Sequence, residues 1–167
     1  MPVLTPMTAA DQAIVETQLG RPVRGVAGVA WRCACGRPGV LATLPRLPDG
    51  TPFPTTYYLT DPRLVSGCSR LEAGGLMAEL NTRLAEDAEL ATAYASAHRS
   101  YLADRDALGE VPEIAGVSAG GMPNRVKCLH ALVAHSLAAG PGVNPVGDIA
   151  LGELADVLDP ECEGGHA

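Results

Sequence analysis

The chain has 167 residues, of which 47% are hydrophobic and 4% aromatic, and its 19 acidic and 12 basic side chains give a formal charge of −7. Such a charge repels phosphate backbones and anionic lipid surfaces, so we expect neither nucleic acid nor a membrane as a partner. Without a leader pattern or a run of about 18 apolar residues, we expect a cytoplasmic protein with one globular domain at 1–158 and a flexible tail at 159–167.

The first part of the chain carries one helix signal and three strand signals. Thr8 and Asp11 form a capping pattern that predicts a helix ending near Leu19, before Gly20. β-Branched and aromatic residues then mark three strands, at about residues 23–33, 40–43 and 55–60. Turn residues between the first two strands predict a hairpin.

Helix signals dominate the rest of the chain. Asp61-Pro62 reads as an N-cap followed by the first helical residue, and leucines spaced by four predict a second helix after Gly75. A third helix is predicted from about Asp87, another from Asn124 to about Ala139, and a last short one capped by Asp148. The order predicts an α+β fold: a small antiparallel sheet of about three strands packed against four to five helices.

Several short motifs, in order along the chain, resemble those of an uncharacterised bacterial family, domain-of-unknown-function family 501. They are Cys33-Ala34-Cys35-Gly36-Arg37-Pro38, Asp49-Gly50-Thr51-Pro52-Phe53-Pro54-Thr55, Tyr58-Leu59-Thr60-Asp61-Pro62, Ser69-Arg70-Leu71-Glu72, Lys127-Cys128-Leu129-His130 and Asn144-Pro145-Val146-Gly147. The resemblance implies no established activity. Family members often have a cysteine at the position of Asp61 and a histidine at that of Leu132, and this chain departs from both.

The segment around residues 120–130 is the favoured ligand site. Glycines that lead into a helix, followed by cations, can offer free N–H groups and positive charge to an anion such as phosphate. Lys127 is the only lysine of the chain. We therefore predict a small anionic, phosphate-bearing ligand bound by Gly120, Gly121, Arg125, Lys127 and His130. The alternative is a structural loop with solvated cations.

A metal site is the second hypothesis. Five cysteines without a secretion signal favour free thiols or a metal over disulfides. Zinc or an iron–sulfur cluster could use Cys33, Asp61, Cys128 and His135. On one continuous helix, however, Cys128 and His130 would project about 200° apart, which disfavours a shared ion.

Three further alternatives stay open for the same region. Cys128 could be a nucleophile with His130 or His135 as its base, which would make the protein a thiol-dependent enzyme. Cys128 could also be a small buried hydrophobic residue, as free cysteine often is. The amphipathic helices, finally, permit a protein-interaction module with a protein partner.

Overall fold

The local signals for strands and helices produce a three-stranded antiparallel sheet and six α-helices. The structure is a computed structural model that describes residues 1–158, so the predicted tail lies outside the described residues. The strands are β1 (Val26–Arg32), β2 (Pro38–Thr43) and β3 (Tyr57–Leu59). The helices are α1 (Ala9–Leu19), α2 (Pro62–Ala73), α3 (Leu76–Glu86), α4 (Ala88–Leu108), α5 (Leu129–Ala139) and α6 (Pro145–Gly152). This arrangement confirms the predicted α+β class.

The core has two parts because side chains along β2 alternate between the two faces of the sheet. The strand order is β1-β2-β3, with β2 in the centre and both pairings antiparallel. Val40 and Ala42 belong to the main core, whereas Leu41 packs with Val15 of α1 and Val29 of β1. Successive side chains of a strand point to opposite faces. Helix α1 therefore covers the face of the sheet opposite the other helices, and the helices do not form one layer.

Helix α5 is the centre of the main core. It contacts β3, α2 and α6, and most of its side chains are buried, including Leu129, Leu132 and Val133. A helix that is apolar on nearly every side must be enclosed by its neighbours. The start of α5 therefore sits where several elements converge.

Two helix boundaries differ from the prediction. Helix α5 begins at Leu129, not at Asn124, because residues 121–124 form turns and residues 125–128 have no regular structure. Helix α6 begins at Pro145 and is capped by Asn144, whose Oδ1 accepts a hydrogen bond from the Gly147 N–H at 3.0 Å. The predicted cap, Asp148, instead lies in the first turn of the helix, where its carboxylate accepts from a loop N–H.

The preference for free thiols is wrong for two cysteines. Cys33 and Cys35 are joined by a disulfide, and Cys68 and Cys128 are free. The tight turn after β1 brings the Cα atoms of Cys33 and Cys35 to 5.4 Å, within the range that a disulfide spans.

Among the helices within residues 1–158, none combines the length and the apolar composition that a membrane crossing would need.

Candidate functional site

A cleft of about 1070 Å³ opens beside β3. Its walls are β3, the beginning of α2, the loop of residues 116–128 (the cleft loop) and the first turn of α5. The volume is at the upper end of the range for small-molecule sites, which is about 300–1,000 Å³. Such a cleft can hold a molecule the size of a nucleotide.

Three side chains of α4 hold the cleft loop against the body of the protein. The Tyr94 hydroxyl donates to the Arg125 carbonyl at 3.1 Å, and His98 Nδ1 lies 2.9 Å from the Ser118 hydroxyl. The buried guanidinium of Arg105 donates to the carbonyl of Val117. The spacing of Tyr94, His98 and Arg105, four and then seven residues, places them on one face of the helix. Their partners could not be inferred from that spacing.

Asn81 of α3 secures the end of the cleft loop. Its side-chain Oδ1 accepts from the Val126 N–H at 2.8 Å, and its Nδ2 donates to the Val126 carbonyl at 3.0 Å. Val126 is 4% exposed, so these bonds satisfy both of its buried backbone groups. Sequence reasoning missed Asn81, because nothing in the helix pattern distinguishes it from a solvated polar residue.

Gly120 and Gly121 allow the loop to fold back on itself. Their φ angles are +69° and +94°, which side chains other than glycine rarely adopt. The Gly120 carbonyl accepts from the Lys127 N–H at 2.7 Å and from the Cys128 N–H at 3.3 Å, and the Gly121 carbonyl accepts from the Arg125 N–H at 3.1 Å. The N–H groups of Arg125, Lys127 and Cys128 are therefore used inside the loop and are not free for a ligand.

The N-terminus of α5 also has a partner within the protein. The Leu129 N–H donates to Oε1 of Glu72 on α2 at 2.8 Å. A carboxylate is favoured at this position by the positive end of the helix dipole. This helix-terminal N–H group is therefore not free for an external anion, which would have to be bound mainly by side chains.

The late start of α5 brings Cys128 and His130 together. Cys128 is the N-cap, with extended backbone angles, so the separation of about 200° expected on a continuous helix does not apply. Its Sγ lies 3.9 Å from Nδ1 of His130, and Oε1 of Glu72 lies 3.1 Å from the same nitrogen. We call Glu72, Cys128 and His130 the thiol cluster. Within residues 1–158 this is the only group of three or more potential metal ligands in close proximity.

The other nitrogen of the His130 ring faces acceptors on α2. Nε2 lies 3.2 Å from the Val65 carbonyl and 3.3 Å from the Ser69 hydroxyl. A carbonyl can only accept, so Nε2 carries a hydrogen. The orientation of the ring is therefore set by α2, and Nδ1 points toward Cys128 and Glu72.

The thiol cluster shifts the acidity of its members. The hydrogen bond to His130 lowers the pKa of the Cys128 thiol below its ordinary value, although burial opposes the shift. The same hydrogen bond, reinforced by Glu72, raises the pKa of His130 to about 9. The two shifts have a common cause, because each charged form stabilises the other across the hydrogen bond.

All five residues predicted to bind the ligand line the cleft. They are Gly120, Gly121, Arg125, Lys127 and His130. The side chains of Arg125 and Lys127 are exposed and form no salt bridge with any residue from 1 to 158. No aspartate or glutamate of that region lines the cleft. The cleft is thus a locally cationic surface on an acidic protein.

Of the predicted metal ligands, only Cys128 belongs to the thiol cluster. Cys33 is bonded to Cys35, and its sulfur is not a free thiolate. Asp61 is 1% exposed and caps α2, where it accepts from the Arg63 and Leu64 N–H groups. Glu72 is the ligand candidate that sequence reasoning did not propose for this site. The signal in the sequence was that Glu72 belongs to Ser69-Arg70-Leu71-Glu72, one of the motifs that resemble the family.

His135, the fourth predicted ligand, is sealed in the core. Its ring is 0% exposed, stacks on Tyr57 at 5.7 Å between centroids, and meets the ring of Tyr101 edge-on at 5.1 Å. Nδ1 lies 3.2 Å from Nδ2 of Asn144, which indicates that it accepts from this amide. Burial lowers the pKa of His135 to about 4, so the ring is neutral at pH 7.

Comparison with known proteins identifies one family. A family model described as "Protein of unknown function (DUF501)" matches residues 29–152, which include most of the sheet, the cleft loop and the thiol cluster. No curated protein and no solved structure matches the chain. The function must therefore be argued from the geometry of this chain itself.

Proposed function

The chain belongs to the DUF501 family of proteins of unknown function, and we propose that it binds a small anionic, phosphate-bearing ligand in the cleft. The observation that carries the proposal is the charge of the cleft lining. Arg125 and Lys127 are present there and carboxylates of residues 1–158 are absent, in a chain with 19 acids and 12 bases. A cleft lined by one sign of charge raises the local concentration of oppositely charged ligands.

A buried hydroxyl supports the same proposal. Thr60 lines the cleft, is 1% exposed, and its Oγ1 has no hydrogen-bond partner among residues 1–158. A buried hydroxyl without a partner costs about 1–3 kcal/mol. This group could donate to a phosphate oxygen once the ligand displaces the side chains that enclose it, and Ser66, an exposed serine of the lining, offers a second hydroxyl. The Ser118 hydroxyl is already bonded to His98 and Met122.

The attraction for an anion rests mainly on Arg125 and Lys127. His130 also lines the cleft, but its positive charge is paired with Glu72. Arg125 and Lys127 reach the cleft from one short loop whose backbone is fixed by the internal hydrogen bonds to Gly120 and Gly121. A preordered loop reduces the entropy lost when its side chains bind a ligand.

Apolar side chains share the lining with the cations and hydroxyls. They include Leu19, Val65 and Met122. Ligand sites commonly combine an apolar lining with a few polar groups that orient the molecule. The cleft therefore suits a ligand with an anionic group and a larger body, more than it suits a bare inorganic ion.

Isothermal titration calorimetry tests the proposal. The probes are inorganic phosphate, pyrophosphate, short polyphosphate and common nucleotides, with chloride as the reference anion. We expect binding by at least one phosphate-bearing probe, with an affinity that falls as salt is added because the cations are exposed. A charged hydrogen bond is worth about 1.5–3 kcal/mol, so Arg125→Gln and Lys127→Gln should each weaken binding by about 10-fold or more.

Arg99→Gln is the matched control. Arg99 is an exposed arginine of α4 that does not line the cleft, and its loss should leave the affinity unchanged. If no probe produces heat or a thermal shift, or if Arg99→Gln weakens binding as much as Arg125→Gln, the cleft is not an anion site.

A further inference from the structure

We propose that Glu72, Cys128 and His130 form a binding site for one divalent transition-metal ion of the Zn²⁺ class. The donor atoms are Sγ of Cys128, Nδ1 of His130 and a carboxylate oxygen of Glu72, and all lie within 4.8 Å of one another. Thiolate, imidazole and carboxylate are the three ligand types that protein zinc sites use. The metal site does not depend on the proposed anion, because the two sites share only the side chain of His130.

Two of the three separations between the donors are close to those of a tetrahedral site, and the third, between Sγ and the carboxylate, is within 4.8 Å. Zinc bonds of about 2.0–2.3 Å at tetrahedral angles place neighbouring donors about 3.4–3.6 Å apart. The observed Sγ to Nδ1 distance is 3.9 Å, and the Nδ1 to Oε1 distance is 3.1 Å. Small rotations of the side chains can close differences of about 0.3–0.4 Å.

Partners beyond the three donors orient them for an ion. The Val65 carbonyl, 3.2 Å from Nε2, keeps the hydrogen of His130 on that nitrogen, so Nδ1 can present its lone pair to the cluster. A second hydrogen bond of this kind accompanies nearly every histidine that binds a metal. The Leu129 N–H holds Oε1 of Glu72 in place at 2.8 Å. A bound ion would replace the proton that Nδ1 otherwise shares with the thiol and the carboxylate.

The geometry favours this interpretation over a thiol nucleophile with a histidine base. In a nucleophile, base and acid arrangement, the acid orients the ring through one nitrogen and the other nitrogen takes the proton of the nucleophile. Here Cys128 and Glu72 both face Nδ1, and Nε2 faces a carbonyl. Three donors that converge on one point can share a cation. A histidine base, in contrast, would have to accept the thiol proton at Nδ1 and be oriented by the carboxylate through Nδ1 as well, and one nitrogen cannot do both.

The position of the cluster indicates what else such an ion would bind. Cys128 and His130 line the cleft, and residues 1–158 supply three clustered donors. Zinc sites with three protein ligands keep a position for water or a substrate. The thiolate and imidazole donors select Zn²⁺ over Mg²⁺ and Ca²⁺, which prefer oxygen ligands.

The test is metal binding by the chelator-treated chain. Competition with a chromophoric zinc chelator should give about one Zn²⁺ per chain, and Mg²⁺ should not compete. Co²⁺ should produce a thiolate-to-cobalt charge-transfer band together with the visible bands of a tetrahedral site. Cys128→Ser and His130→Gln should each weaken Zn²⁺ binding by at least about 100-fold, since loss of an outer partner alone costs about 10- to 100-fold.

Two controls separate this site from other donors. Cys68→Ala removes the other free thiol of residues 1–158, and Glu79→Gln neutralises an exposed glutamate of α3. Both should keep the full affinity and the cobalt spectrum. If Cys128→Ser or His130→Gln does not fold, Glu72→Gln decides, because the amide keeps the size of the side chain and can still accept from Leu129.

Three results would each overturn the proposed metal site. They are no bound Zn²⁺ in the wild-type chain, a cobalt spectrum without the charge-transfer band, or a Glu72→Gln variant with unchanged affinity. Titration of the metal-free chain with pyrophosphate tests the anion separately, so either proposal can fail while the other stands.

Discussion

The Asn81→Ala substitution tests how the cleft loop is held in position. It removes the acceptor of the Val126 N–H and the donor to the Val126 carbonyl, and it leaves two buried backbone groups without partners. Each such group costs about 1–3 kcal/mol. Alanine is the better helix former by up to about 0.7 kcal/mol, which offsets part of the loss. We expect the free energy of unfolding to fall by about 2–4 kcal/mol.

Urea denaturation monitored by circular dichroism measures this change, and native-state hydrogen exchange locates it. The amide of Val126 should lose protection, because its acceptor is gone. Asn81→Asp keeps an acceptor for the N–H but places a carboxylate oxygen against the carbonyls of Met77 and Val126, so it should lose at least as much stability while the Val126 amide stays better protected. The affinity for the anionic probe should also fall, although neither Arg125 nor Lys127 is changed.

Thr82→Ala is the matched control on the same helix. Its exposed hydroxyl bonds only the carbonyl of the preceding turn of α3, and its loss should change stability by less than about 0.5 kcal/mol. An Asn81→Ala variant as stable as the control, with Val126 still protected from exchange, would refute the proposed anchoring of the loop.

Further substitutions test the helix packing and the pH dependence of stability. Gly147→Ala places a Cβ 2.3 Å from a carbonyl oxygen of α5 and should cost more than about 2 kcal/mol, whereas Gly152→Ala, with no neighbour within 4 Å, should cost nothing in the same urea assay. His135 has a pKa of about 4 in the folded chain and about 6.5 unfolded, so the unfolded state binds the extra proton as the pH falls. Stability should therefore decrease by about 3 kcal/mol between pH 7 and pH 4, and a His135→Gln variant whose slope matches the wild type would contradict this. Hydrogen bonds to Arg32 lower the pKa of Asp11 in the folded chain. The contribution of Asp11 to stability is therefore present above the unfolded pKa of about 3.9 and is lost as the pH falls below it. The Asp11→Asn substitution should accordingly reduce the loss of stability in acid.

Local signals predicted most of the secondary structure correctly. Thr8 and Asp11 form the expected capping box of α1, and Asp61 caps α2 with Pro62 as its first residue. The helix predicted from about Asp87 is α4, and Asp87 is its N-cap. A cap involves residues within about four positions of one another, so its pattern is complete in a short stretch of sequence.

The start of α5 could not be predicted in this way. The residues from Asn124 to Cys128 look suitable for a helix, but the N–H groups of residues 125–128 bond carbonyls of Gly120 and Gly121 and the side chain of Asn81. Glu72 then receives the N–H of Leu129. These partners lie on other elements, and tertiary contacts override local helix propensity.

The residue types of the site could be predicted, but the cluster that they form could not. The sequence placed Gly120, Gly121, Arg125, Lys127 and His130 in one segment, and the structure shows them around one cleft. Sequence reasoning also identified Cys128 as a metal-ligand candidate, but it paired Cys128 with Cys33, Asp61 and His135. Those three side chains are engaged in a disulfide, a helix cap and the buried aromatic core, respectively.

The sequence by itself determined the fold class, the caps of the early helices, the acidic charge and the region where cations and a cysteine lie together. Only the tertiary structure decided that Glu72, 58 positions before His130, completes the thiol cluster, and that Asn81, 45 positions before Val126, holds the cleft loop. The reason is physical. Hydrogen bonds and metal ligation depend on distances of a few ångströms, and the packing of α2 and α3 against the segment around α5 sets those distances.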